Sequence, residues 1–246
     1  MAFSNKGLNI FIVILVIVVL AAAAFFVSKK GEGVLMQDIK ISPKKDQPVQ
    51  VTEPVASKID AETKENVDEI VDEAMSRIEE NARSHDDESQ TLAMSKGAKD
   101  FISQEMTSDK PEDYKKQFIT GTYAGYYARH TLGLPEYCAG HEVSLIPYVE
   151  AFIKVNEGLD SKVQKLYFAP DQVEQTYQAI KPKIMPLIDT EMKEVAKMIG
   201  SNADEKAACK FMNKNAKNIV RGAKFQTLMP RAYGFLEPYL EETSAD

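Results

Sequence analysis

The chain has 246 residues, 44% of them apolar and 27% charged, and carries a net charge of -7. That is enough apolar material for one sizeable core, and an acidic balance without a basic recognition motif excludes nucleic acid as the expected partner. No G-x-S-x-G, H-E-x-x-H, Walker loop or dinucleotide fingerprint occurs, so the familiar hydrolase, zinc-protease, nucleotidase and dehydrogenase chemistries have no footing here.

Behind a short tail over 1–7, Ile10 to Val27 are eighteen consecutive apolar residues, fourteen of them Ile, Leu, Val or Phe. A helix over 8–28 rises about 30 Å, the thickness of a bilayer's hydrocarbon core. The expectation is a single-pass transmembrane signal-anchor. A cleaved secretory signal is the alternative, with Ala21 to Ala24 as its small residues. However, the run continues through Phe25, Phe26 and Val27, beyond the usual signal core of about 7–15 apolar residues.

Pro43, Pro48 and Pro54 recur through a polar stretch over 29–57, which reads as a flexible linker with a reach on the order of tens of ångströms. From residue 58 the pattern turns helical. Val67, Val71, Ala74, Ile78 and Ala82 step by three or four along a strongly acidic segment: twelve acidic residues over 60–88 face only Lys64, Arg77 and Arg83. This predicts an amphipathic helix, either an ordinary bundle helix or a seam for self-association through 58–84.

Thr91 to Met106 predicts a second helix with Phe101, Ile102 and Met106 inward, although Gly97 weakens it. Pro111 opens a third, running to about Leu132 and ending at Gly133, with Gly121 and Gly125 one turn apart among tyrosines. Leu134 to Val143 reads as a connection. Ser144 can cap a fourth helix with Val149, Phe152 and Ile153 inward and Gly158 as its end. Pro182 and Pro186 should bend or split the stretch that begins at Pro170. Asn202 and Glu205 have capping-box spacing before a helix whose buried face is Cys209, Met212, Ala216, Ile219 and Ala223. Pro230 and Pro238 predict broken helices up to 240, and 241–246 a disordered acidic tail. No segment shows the period of a strand. The fold class is therefore all-α: an N-terminal transmembrane helix, a flexible linker and a multi-helix bundle over 58–240.

Cys138 and Cys209 are the only cysteines, and an even pair at these places predicts a disulfide stapling the bundle. This bears on orientation. Lys29, Lys30, Lys40, Lys44 and Lys45 follow the apolar run and only Lys6 precedes it, which by itself would hold the domain in the cytoplasm. A structural disulfide needs an oxidising compartment and overrules that count, placing the domain in the periplasm of a bacterial cell. The absence of any N-x-S/T sequon agrees with a bacterial source.

Lys206, Lys210, Lys214, Lys217, Arg221 and Lys224 recur every three or four residues on the Cys209 helix. Such a stripe is a solvated face or docks on a protein partner or anionic lipid. No catalytic residue and no cofactor is expected. A second reading gathers His130 and His141 with Cys138 and Glu142 as an enzyme or metal site, since imidazole and sulfur suit zinc or copper; the spacing matches no established zinc pattern, and a disulfide would consume Cys138. The leading expectation is a non-catalytic interaction or assembly protein of an envelope complex.

Overall fold

The computed structural model describes residues 61–87, 90–167 and 170–242. The expected span over 8–28 and linker over 29–57 lie outside the described residues. Among the described residues every regular element is helical, and no helix is long and apolar enough to cross a membrane.

Helix α1, Ala61–Ala82, turns back through a short 3-10 piece into α2, Gln90–Thr107. The expected seam is present where it is described: Ala74, Ile78 and Ala82 are buried, as are Phe101, Ile102 and Met106 opposite. Gly97 is what brings the two helices together. A Cβ there would stand 2.4 Å from the Ile78 carbonyl oxygen and 2.8 Å from the Ala82 nitrogen, so no other residue permits this approach. Its cost in helix propensity is about 1 kcal/mol, outweighed by the packing it allows.

Helix α3, Glu112–Ala128, starts after Pro111 with Glu112 and Asp113 against the positive end of its dipole. It is buried without a break from Phe118 to Tyr126, Gly121 and Gly125 included. A helix buried all round is a central helix, and α3 packs against α2 as well as three helices introduced below: α5, α6 and α10.

The predicted stop at Gly133 does not occur. The chain passes through a π turn, Arg129–Gly133, directly into α4, Leu134–Gly140, so 134–143 is not the expected connection and Cys138 is helical. Pro135 is the second residue of α4, directly after the π turn. Gly133 serves packing instead of termination: a Cβ there would lie 3.0 Å from Ile188 Cδ1. Helix α4 ends in a Schellman turn, Val143 N–H donating to Cys138 O at 2.9 Å and Glu142 N–H to Ala139 O at 2.9 Å. Glu142 occupies the left-handed position (φ 59°) usually held by glycine.

Helix α5, Ile146–Tyr167, runs through the predicted stop at Gly158, because Phe152, Asn156 and Val163 hold both halves in the core. Ile153, expected inward, is 42% exposed. Helix α6, Pro170–Ile199, absorbs both Pro182 and Pro186 in one element; both prolines are exposed, where water can satisfy the freed carbonyls.

Asp204, rather than Asn202, caps α7, Glu205–Lys214, its Oδ1 accepting from Ala207 N at 2.8 Å. The single helix expected under the basic stripe is broken at Asn215, whose Nδ2 donates to the Phe211 carbonyl at 2.9 Å. Helix α8, Ala216–Gly222, then continues the same buried face, since Cys209, Met212, Ala216, Ile219 and Ala223 are all buried. A four-residue α9, Phe225–Leu228, leads to α10, Pro230–Glu242, which starts at Pro230 and accommodates Pro238, so the expected break there is absent.

Cys138 on α4 and Cys209 on α7 meet at disulfide distance, with Sγ atoms 2.02 Å and Cα atoms 5.7 Å apart. The pairing is as the sequence predicts. An ion pair beside it, Lys206 Nζ to Glu142 Oε2 at 2.5 Å, joins the same two segments.

Candidate functional site

The π turn places two consecutive residues, Arg129 and His130, in the core, at 0% and 2% exposure. A π turn inserts one extra residue into the helical path, which lets neighbouring side chains both face inward; such bulges concentrate at functional sites. Arg129 reaches α6: Nη2 donates to Glu191 Oε1 at 2.5 Å and also to Oε2. Glu191 is itself 1% exposed. Arg129 Nε, also buried, has no hydrogen-bond partner.

His130 stacks on Phe152 with ring centroids 4.4 Å apart. Its Nε2 lies 3.1 Å from Arg129 Nη1 and its Nδ1 2.6 Å from Tyr148 Oη. A guanidinium can only donate, so a neutral His130 accepts at Nε2 and carries its proton at Nδ1, facing Tyr148. Burial, then the adjacent Arg129 charge, hold the His130 pKa well below the ordinary histidine value. Next to it, Tyr126 Oη donates to the Ala223 carbonyl at 2.5 Å and lies 3.3 Å from Asn156 Oδ1. Burial pushes the hydroxyl pKa of both Tyr126 and Tyr148 upward, so both stay neutral. The network thus ties α3 and the π turn to α5, α6 and the end of α8.

The sign of its pH dependence follows from His130. Below about pH 6.5 the unfolded chain protonates this histidine while the folded chain does not, so stability falls as the pH drops from that value toward the folded pKa. Denaturant unfolding at pH 7.5 and 5.5 is expected to show wild type losing about 1.4 kcal/mol more than His130→Gln over that interval. Equal losses in both proteins would show that His130 is protonated in the fold.

A second network joins the first three helices. Glu105, 3% exposed, accepts from Arg77 Nη1 at 2.7 Å, from Tyr114 Oη at 2.6 Å and from Lys110. Burial acts to raise its carboxyl pKa, but the hydrogen bonds from Lys110, Tyr114 and Arg77 prevail and hold it below the ordinary glutamate value. Arg77 also lies over the Phe101 ring, 4.4 Å from its centroid.

The structure separates the residues of the metal reading. His130 is enclosed in the network, His141 is half-buried against the Tyr137 ring at 4.8 Å, and Cys138 is bonded to Cys209. Among the described residues no group of three or more His, Cys, Asp or Glu side chains is placed to hold a metal ion.

The basic stripe spans two helices instead of one. Lys206 is taken up by Glu142, while Lys210, Lys214, Lys217, Arg221 and Lys224 are exposed on the side opposite the buried face of α7 and α8. None of these five forms an ion pair with another described residue. Helix α5, which packs on both, carries Ile146 and Ile153 at 46% and 42% exposure, two turns apart on one side.

Sequence reading missed the Arg129–Glu191 pair. One signal for it was present: Glu191 falls on the α6 stripe of Ile184, Ile188 and Val195, where a charge has to be paired or expelled. These features define an all-α domain with a buried polar core and a cross-linked face. No protein-family model matches the chain, and no curated protein or solved structure is significantly similar to it.

Proposed function

We propose that this chain is a membrane-anchored interaction or assembly component of a bacterial envelope complex, non-catalytic, with its helical domain in the periplasm. The Cys138–Cys209 pair carries the reading: the two cysteines are buried and disulfide-bonded, and structural disulfides belong chiefly to oxidising compartments and are rare in the cytosol. In this reading the apolar run from Ile10 to Val27 supplies the span and 29–57 the reach that lets the domain move beside the bilayer.

The docking face is the stripe of Lys210, Lys214, Lys217, Arg221 and Lys224, which meets an acidic protein surface or anionic headgroups. Five exposed cations without an ion-pair partner among the described residues form a positive field on α7 and α8, and such a field governs encounter and register more than affinity. The buried Arg129, His130 and Glu191 are committed to one another, which leaves them a positioning role inside the fold.

Two measurements test this. A C-terminal reporter active only after export should be active, and activity confined to a reporter that works only in the cytoplasm overturns the placement. Charge reversal at Lys210, Lys214 and Lys217 should reduce recovery of crosslinked partner at least tenfold; unchanged recovery of both partner and anionic vesicles removes the docking role.

A further inference from the structure

Away from the stripe and from the buried network, a cleft of about 330 Å³ opens where the start of α10 crosses the 3-10 turn and α2. This is the lower end of the size range of small-molecule sites. Its floor is apolar: Ile102, Met229 and Ala232 line it and are 1%, 3% and 3% exposed. Its rim is cationic, with Lys96, Lys99 and Arg231 against one carboxylate, Asp100. Asp100 is engaged by His85, Nε2 to Oδ2 at 3.0 Å, and is therefore turned toward the histidine. Lys99 and Arg231 form no ion pair with a described residue.

We infer that this cleft binds a small amphiphilic oxyanion, a phosphate or carboxylate head on a short alkyl body, with the head between Lys99 and Arg231 and the body on Ile102, Met229 and Ala232. The arrangement has the two halves such a ligand needs. Arg231 offers a planar pair of donors to two oxygens of one head group, and Lys99 offers a compact charge from the neighbouring helix. Burial and the nearby Lys96 charge both lower the Lys99 pKa, so its ammonium gains from an added negative charge. The apolar floor favours an alkyl chain over a bare ion, because the buried residues beneath it offer no hydrogen bonds. The occupant's source is either a lipid headgroup from the adjoining bilayer or a free soluble anion. The cleft itself stands independently of the membrane placement proposed above.

The test uses the full chain in discs of neutral lipid with hexyl phosphate as probe, read by calorimetry and by the acylation rate of Lys99 measured by mass spectrometry. Saturable one-to-one binding is expected, with inorganic phosphate at least tenfold weaker and hexanol silent. Hexyl phosphate should slow Lys99 acylation and leave Lys210 unaffected, a readout that needs no variant. Lys99→Gln with Arg231→Gln should weaken binding at least tenfold, whereas Lys210→Gln with Lys217→Gln should not. If phosphatidylglycerol discs protect Lys99 without added probe, the source is the bilayer; if only hexyl phosphate protects, it is a soluble anion. Absence of saturable binding, equal binding by the cleft variant, or unaltered Lys99 acylation overturns the site.

Discussion

Glu191→Ala is expected to destabilise the fold by about 3–5 kcal/mol, the usual cost of removing one partner from a buried ion pair. Arg129 and Glu191 are 0% and 1% exposed, so the orphaned guanidinium would be left buried without its counter-charge. The effect should be strongly non-additive. Arg129→Met combined with Glu191→Leu removes both charges and also the unpartnered Arg129 Nε, and should recover most of the loss. Urea unfolding of wild type, Glu191→Ala, Glu191→Leu, Arg129→Met and the Arg129→Met, Glu191→Leu double variant measures both quantities. A Glu191→Ala variant within about 1 kcal/mol of wild type would mean that water enters the core at the π turn.

Reduction of the Cys138–Cys209 bond, or Cys138→Ala with Cys209→Ala, is the second large effect. Closing a loop of 71 residues restricts the unfolded chain by roughly 4 kcal/mol in the chain-entropy account. The wild-type midpoint in denaturant should fall on addition of reductant, toward that of the double alanine variant, and the variant should not respond. Both cysteines are buried at 0% exposure, so the variant also carries a small packing loss and should lie slightly below the reduced wild type. A midpoint indifferent to reductant, with the thiols shown to be free, would remove the bridge as a source of stability.

The two effects differ in what made them foreseeable. The bridge was legible because only two cysteines exist and one of them sits on a helical apolar stripe. The helical class was legible for a similar reason: Ala74, Ile78 and Ala82, or Phe101, Ile102 and Met106, recur at the helical period and are buried. The ends of helices were not. Gly133, Gly158, Pro182, Pro186 and Pro238 all carry local signals for stopping or breaking, and in each case burial of the residues on both sides holds the helix through. Gly97 shows the same override from the other direction, since its value lies in the backbone of α1 that it touches and is invisible within its own helix.

The Arg129–Glu191 pair spans 62 residues of sequence, and its existence depends on a π turn that no local pattern marks. The cleft under Arg231 is harder still. It is assembled from the 3-10 turn, α2 and α10, and although Lys96, Lys99 and Asp100 share one helical face, nothing in the sequence brings residues 229–232 against them. By contrast the basic stripe was visible in full, but its division at Asn215 and the loss of Lys206 to Glu142 were not, because each depends on a single side-chain hydrogen bond or contact.

The bridge between α4 and α7 also sets how far this protein can be drawn out. Under tension applied at its two ends, the chain lengthens only outside the ring that Cys138 and Cys209 close, and the 71-residue interval between them is withheld from extension. At about 3.4 Å per residue that is on the order of 240 Å of contour. The load would instead pass across a joint whose Cα atoms are 5.7 Å apart, so α5 and α6 remain linked to both anchor points even when the helices around them have come undone.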